Sequence, residues 1–478
     1  MRVIVEIARK ELTECRRDGR LLTIAALIVL LLLVGLLTGW STLAEQRRQV
    51  QRAQQDDQAT FVKQGRKPPH SAAHFGRMAY KPVPPLAVFE PGVAPYLGQV
   101  IWLEAHVRNP AMFRPAQDAP ELRRLADLSV AGVLTLLLPL LVFAAGYGAF
   151  AAERERGTLR QVMSMGIGIA RLFAGKTLVL AGIGIGMSVI AILVATALAL
   201  MAPGDAPTTD ILIRSGLLML GYAHYSLAWA GVAVFVSARA RSAGSALLLL
   251  LGVWALSVAI LPRVAASVAE HAHPAPDSRA FWADTADAMR AGRPARESKP
   301  FRRLEREVLG HALGRKVSEE EAAAMEVNRV ALSMEVSEIL GAKAYEDAYR
   351  RLDAAHDEQQ QVRRMMAIVS PTIALQHFSS ALAGTDLATH RHFSVQAERQ
   401  RAVIIRAMNE DMLLKGAGQG FDYLAPSDLW KRIPPFSYQL PSTFFALRAA
   451  WWDLLILQAW SVLALGLAWH AARRQVFL

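Results

Sequence analysis

The chain has 478 residues, 53% of them hydrophobic and 20% charged, and a formal net charge of +12. In a soluble protein that charge would point to nucleic acid, but here the basic residues gather beside long apolar runs, where they orient the chain and meet anionic headgroups. Since no basic stripe interleaved with aromatics occurs, a nucleic-acid partner is excluded. The single Cys15 excludes an intramolecular disulfide, so every part of the chain has to be stable by packing alone.

Residues 1–20 read as an amphipathic interfacial helix. Ile4, Ile7, Ala8, Leu12 and Cys15 share one face, and Glu6, Arg9, Lys10 and Arg16 occupy the others. Such a helix either anchors the chain or packs beside a cytoplasmic partner.

A hydrocarbon core about 30 Å thick takes roughly 20 apolar residues as helix, because each backbone polar group must be satisfied within the segment. Six stretches meet this requirement: 21–40, 128–150, 178–201, 211–236, 243–261 and 444–469. The first is too long for a cleaved signal, and Thr42-Leu43-Ala44 is a poor cleavage site, so it reads as an uncleaved anchor.

Between the spans lie two long insertions. Residues 41–127 begin as a charged, Gln-rich continuation of the first helix and become Pro-rich through Pro82-Val-Pro-Pro85 and Phe89-Glu-Pro91, which predicts an irregular lobe with short helices. Residues 262–443 open as a His- and Pro-rich link to Pro300. A helical run follows, with a capping box at Ser318 and Glu321, and continues to Ile368, where Pro371 ends it. The fold class is an all-α polytopic membrane protein, with six transmembrane helices and a mainly helical extracytoplasmic domain built from the two insertions.

Orientation follows from Lys and Arg. Arg2, Arg9, Lys10, Arg16, Arg17 and Arg20 precede the first span, and Arg154, Arg156, Arg160, Arg171 and Lys176 lie in the loop 151–177. Arg239 and Arg241 separate spans four and five, Arg473 and Arg474 mark the tail 470–478, and 202–210 carries none. Both termini are therefore expected in the cytoplasm and both insertions outside. The outer segments mix basic residues such as Arg123, Arg124, Arg302, Arg303 and Arg306 with acidic ones such as Glu121 and Glu305.

Chemistry-bearing motifs are few. Ala170-Arg-Leu-Phe-Ala-Gly-Lys-Thr177 ends like a phosphate-binding loop, yet Ala170 replaces the first glycine and no strand precedes it. Lys176 is expected instead to snorkel to headgroups at the start of span three. His271 with His273 and His390 with His392 have no third ligand, so no metal site is predicted. No hydrolase elbow or zincin pair occurs. Span centres are nearly free of ionisable groups: His224 is the main exception, and Arg214 and Asp453 lie close to helix ends. That disfavours an ion-driven carrier and points to energy from a partner.

At the loop the chain resembles a known family. Glu153-Arg-Glu-Arg-Gly-Thr-Leu-Arg160, with Lys176 opening the next span, is similar to the cytoplasmic loop of ABC-2 type permeases. Thr158 and Gln161 also satisfy capping-box spacing. Ala381-Leu-Ala-Gly-Thr-Asp386, His390-Arg-His-Phe393 and the Pro-rich first insertion look like the subgroup that carries a domain of unknown function.

The resemblance implies a coupling helix seated in a groove of an ATPase subunit and formed by Glu153, Glu155, Arg156, Gly157, Thr158, Leu159, Arg160 and Gln161. It implies a permease with no catalytic site of its own, a cytoplasmic ABC ATPase dimer that binds ATP and Mg, a second permease, identical or homologous, and export across a bacterial inner membrane. Two other readings use the same chain: ATP-driven motion passed to an extracytoplasmic partner, or a membrane scaffold or sensor.

Overall fold

The computed structural model describes residues 2–118, 129–201, 206–296 and 298–474. Leu128, the stretch 119–127 with Glu121, Arg123 and Arg124, part of the connection 202–210, and tail residues 475–478 lie outside the described residues.

Among the described residues, six helices are long and apolar enough to cross a membrane: Gly19–Val62, Val130–Glu155, Ile169–Met201, Thr208–Arg239, Ala243–Ala272 and Thr443–Arg473. These are called spans one to six. The amphipathic helix Arg2–Arg17 is cut from span one at Asp18, whose extended backbone and carboxylate, accepting from the Arg20 N–H at 2.9 Å, restart the helix. Span one then runs 44 residues without a break, so its polar half projects from the bundle as the stem of the first insertion.

Span four is central, packing on spans two, three and six. Its Tyr222, Tyr225 and Trp229 are buried. Span one instead leaves Leu22, Leu27, Leu30, Leu33 and Leu37 exposed, as lipid contact requires.

Span five passes straight through Pro262. A π turn at Ala255–Ile260 precedes the proline and absorbs the register change that its missing N–H imposes, and helix continues to Ala272. The stretch expected as a link after Pro262 is thus helical here, and again over Ser278–Ala291.

The two insertions share one apolar core. Phe61, Ala79 and Ile101 from the first pack with Phe301, Leu332, Val336, Phe393, Met408 and Trp430 from the second. The first insertion holds a feature the sequence reading did not anticipate, an antiparallel pair of strands, Arg77–Tyr80 and Val100–Leu103, with Arg77 opposite Leu103.

The run expected from Ser318 to Ile368 divides. Ser318 does cap, accepting from the Glu321 N–H at 3.1 Å, but the Glu321 carboxylate pairs with Arg315. The short helix Glu319–Ala324 ends, and Asn328 opens a new one, Arg329–Ala367. The Asn328 amide donates to the Gly416 and Gly420 carbonyls (2.9 and 2.8 Å), which pins it outside helical geometry.

One piece of the second insertion lies inside the bundle. Helix Pro371–Ala383 is buried along most of its length and packs on spans four and six. Upstream of it, Arg364 donates to the Ala449 carbonyl of span six (2.8 Å), and the Trp460 indole donates to the Ile368 carbonyl (3.0 Å). These bonds lay residues 364–368 along the side of span six, and the chain turns back as helix Pro371–Ala383, here called the re-entrant helix, within the length of that span. The apolar Met365, Ile368 and Val369 on this stretch are exposed, which suits hydrocarbon.

Candidate functional site

The end of span two and the loop that follows it fold as two short helices, Ala151–Glu155 and Thr158–Ser164, joined by a turn at Gly157. Gly157 has φ 73°, the left-handed region that glycine enters without a Cβ clash. Because Gly157 itself sits at the N-cap position, the Thr158–Gln161 capping box does not form. Thr158 Oγ1 donates instead to the Glu153 carbonyl (3.2 Å).

The predicted coupling residues fall into two sets. Glu155, Arg156, Gly157, Arg160 and Gln161 are exposed, with Met165 beyond them, while Leu159 is buried and Glu153 and Thr158 are half-buried. Glu153 turns inward. Its carboxylate meets Lys176 Nζ at 2.8 Å and Lys10 Nζ at 3.1 Å, and Lys176 also meets Glu11 at 2.6 Å. Four charges from the amphipathic helix, the loop and span three thus form one alternating cluster.

This overturns the expectation that Lys176 snorkels to headgroups. Helix begins at Ile169, so Lys176 stands about two turns inside it, only 2% exposed. An ammonium there must have internal partners, and Arg2–Arg17 supplies one by lying along span three. Contact is close because Gly175 has no side chain: a Cβ there would come within 2.6 Å of Ile7 Cγ2. The same geometry removes the phosphate-loop reading, since Lys176 is a helix-interior residue held by carboxylates.

The loop is also tied to the turn between spans four and five. Ser237 Oγ accepts from the Phe150 and Ala151 N–H groups (3.0 and 3.2 Å) and donates to the Tyr147 carbonyl (2.8 Å). Arg154 donates to the carbonyls of Ala238 and Ala240, and Glu155 accepts from the Ala243 N–H that opens span five (3.2 Å). Sequence reasoning missed Lys10, Glu11, Arg154 and Ser237 as members of this site. The available signal was Lys176 itself, a cation in an apolar helix that demands a carboxylate.

At the opposite end of the bundle a second buried network appears. Arg214, expected to reach polar surroundings, finds them within the protein: Asp210 at 2.6 Å, the Leu382 carbonyl at 2.9 Å and the Pro441 carbonyl at 2.5 Å. Asp453, 1% exposed, meets His377 Nδ1 of the re-entrant helix at 2.6 Å. The motif Ala381–Asp386 is the turn out of that helix, with Asp386 capping the next one through the Thr389 N–H (3.0 Å). Beside it a cleft of about 310 Å³ opens between span one and the first insertion, lined by Gly35, Thr38, Leu43, Lys81, Val88 and Pro95. Burial pushes the Lys81 ammonium down to about 8, against the pull of Asp386.

The histidines weighed in sequence do not converge: His271 bonds its own helix at Ser267, His273 meets Glu358 and His392 meets Tyr438.

Six spans, a loop built as two surface helices and the long insertions are the setting in which the comparisons with known proteins fall. The family model described as ABC-2 family transporter protein matches residues 5–474. The chain belongs to this family. Among curated proteins none matches it significantly. As an ABC-2 family member it is a multi-pass membrane protein, the permease subunit of an ABC transporter, and an ABC ATPase is its partner.

Proposed function

We propose that this permease subunit exports its substrate across a bacterial inner membrane, dimerised with an identical or homologous permease, and that Glu155, Arg156, Gly157, Arg160 and Gln161 form the surface that the ATPase dimer grips. That partner, not this chain, binds ATP with Mg and hydrolyses the ATP. The observation that supports this most directly is the cluster Lys10–Glu11–Glu153–Lys176, which makes the loop, the N-terminal helix and span three move as one body. Closure of the ATPases then tilts span three and, through Arg154 and Ser237, spans four and five, a two-state change biased by ATP.

Topology is tested by labelling. In a Cys15→Ser background, cysteine placed at the exposed Lys316 is expected to react with an impermeant maleimide from outside intact cells, while cysteine at the exposed Met165 reacts only after permeabilisation. The reverse pattern would place the insertions in the cytoplasm and remove the export reading.

Coupling is tested on the complex with its ATPase. Glu155→Ala combined with Gly157→Val removes the contact to span five and forces a β-branched residue into a left-handed turn. ATP-driven activity is expected to fall at least tenfold with membrane insertion unchanged, and the chain purified alone should show background turnover only. Parental activity in the double variant would exclude this loop as the grip.

A second reading, transmission of force to an extracytoplasmic partner without passage of substrate, is favoured by span one, which continues unbroken into the core shared by both insertions. Appearance of substrate across a sealed bilayer separates the two, and ATPase stimulation separates both from a scaffold.

A further inference from the structure

The domain formed by the insertions carries a cluster that the proposed function leaves unused. His70 and His74 lie one turn apart on helix Pro69–Phe75, and His106 reaches them from the loop after strand Val100–Leu103. Ring centroids are 4.6 Å apart for His70 and His74, 5.6 Å for His70 and His106, and 5.4 Å for His74 and His106. One nitrogen from each ring falls within 4.8 Å of the other two.

Two further observations show that this is a built site rather than a crowding of rings. His106 has φ 67°, a backbone conformation that a non-glycine residue keeps only where its surroundings enforce it. Glu338, from helix Arg329–Ala367 of the other insertion, does the enforcing: one carboxylate oxygen accepts from the His106 N–H (2.6 Å) and from its Nδ1 (2.8 Å). The other oxygen is held by the buried Arg401 at 2.9 Å. A carboxylate on one imidazole nitrogen is the arrangement that orients a ligating histidine and makes its other nitrogen more basic.

We propose that His70, His74 and His106 together bind one first-row divalent transition-metal ion, of the zinc class, with Glu338 as the positioning carboxylate and the fourth coordination position open. Three imidazoles without an oxygen-rich set select such ions over Mg or Ca. Nitrogens at about 2.0–2.1 Å in tetrahedral geometry stand roughly 3.3 Å from one another, so three rings whose nitrogens lie within 4.8 Å of one another have to close by no more than about 1.5 Å. Bound metal would fasten the first insertion to Glu338 and Arg401 of the second.

The test uses the full-length chain in detergent, without a polyhistidine tag, stripped with EDTA and titrated with Zn²⁺. One tight equivalent per chain and a zinc-dependent rise in the thermal midpoint are expected. His74→Ala, at an exposed ring, should leave the metal-free midpoint unchanged and weaken binding at least a hundredfold, and Glu338→Gln should weaken it about tenfold to a hundredfold. Co²⁺ should give the visible absorption of a four-coordinate site in the parent and not in His70→Ala. Equal Zn²⁺ binding by the parent and His74→Ala, or no tight equivalent in the parent, would overturn the assignment and leave the three rings as packing.

Discussion

Lys176→Met is expected to lower the stability of the permease by about 3 kcal/mol and to abolish ATP-driven activity. Removing one partner of a buried ion pair costs about 3–5 kcal/mol, because the other is left charged and unpaired. Here two carboxylates lose their shared cation: Glu11 at 2.6 Å and Glu153 at 2.8 Å. The lower end applies because Lys10, half-exposed, still reaches both, at 3.0 and 3.1 Å. Function should suffer more than stability, since Glu153 links the loop to span three through this lysine. Adding Glu153→Gln to Lys176→Met should recover part of the unfolding free energy but not the activity. Thermal or urea unfolding in detergent, together with turnover of the complex, reads both quantities. An unaltered midpoint in the single variant would mean that the cluster is solvated and not structural.

Arg214→Met is expected to cost about 3–5 kcal/mol by the same reasoning and to loosen the re-entrant helix. The guanidinium joins three elements, Asp210 of span four, the Leu382 carbonyl at the end of the re-entrant helix and the Pro441 carbonyl before span six. Asp210 keeps the Thr443 N–H at 2.9 Å, which preserves the entry of span six while the re-entrant helix loses its anchor. Hydrogen exchange over residues 371–383 should accelerate more than exchange in spans two and three. Arg214→Lys should not rescue, because a point ammonium cannot serve a carboxylate and two carbonyls in three directions. Uniform acceleration across all spans would show a global loss of stability in place of a local clamp.

Hydropathy is a local property, which is why the six spans and the stem that continues span one were legible from residues alone. A run of twenty apolar residues admits few structures in lipid, whatever the rest of the chain does. The loop motif was legible for a related reason: Gly157 and its flanking charges lie within a few residues of one another, and a left-handed turn is a local demand. Yet the roles inside the motif were not. Glu153 and Glu155 look equivalent in sequence, and only the position of Lys176, two turns inside span three, turns one of them inward.

The features that remained hidden are those assembled across long separations. Glu11 and Lys176 are 165 residues apart, Glu338 and His106 232, and Arg214 and Pro441 227. Helix Pro371–Ala383, with 13 residues, is too short to read as a span and polar enough to read as part of the lobe. Its place inside the bundle depends on packing against spans four and six and on upstream bonds to Ala449 and Trp460 that no local pattern announces. The sequence by itself thus determined how many times the chain crosses the membrane and where its surface loop turns. The tertiary structure alone decided which charges pair and which histidines meet, because those energies depend on distances that only packing sets.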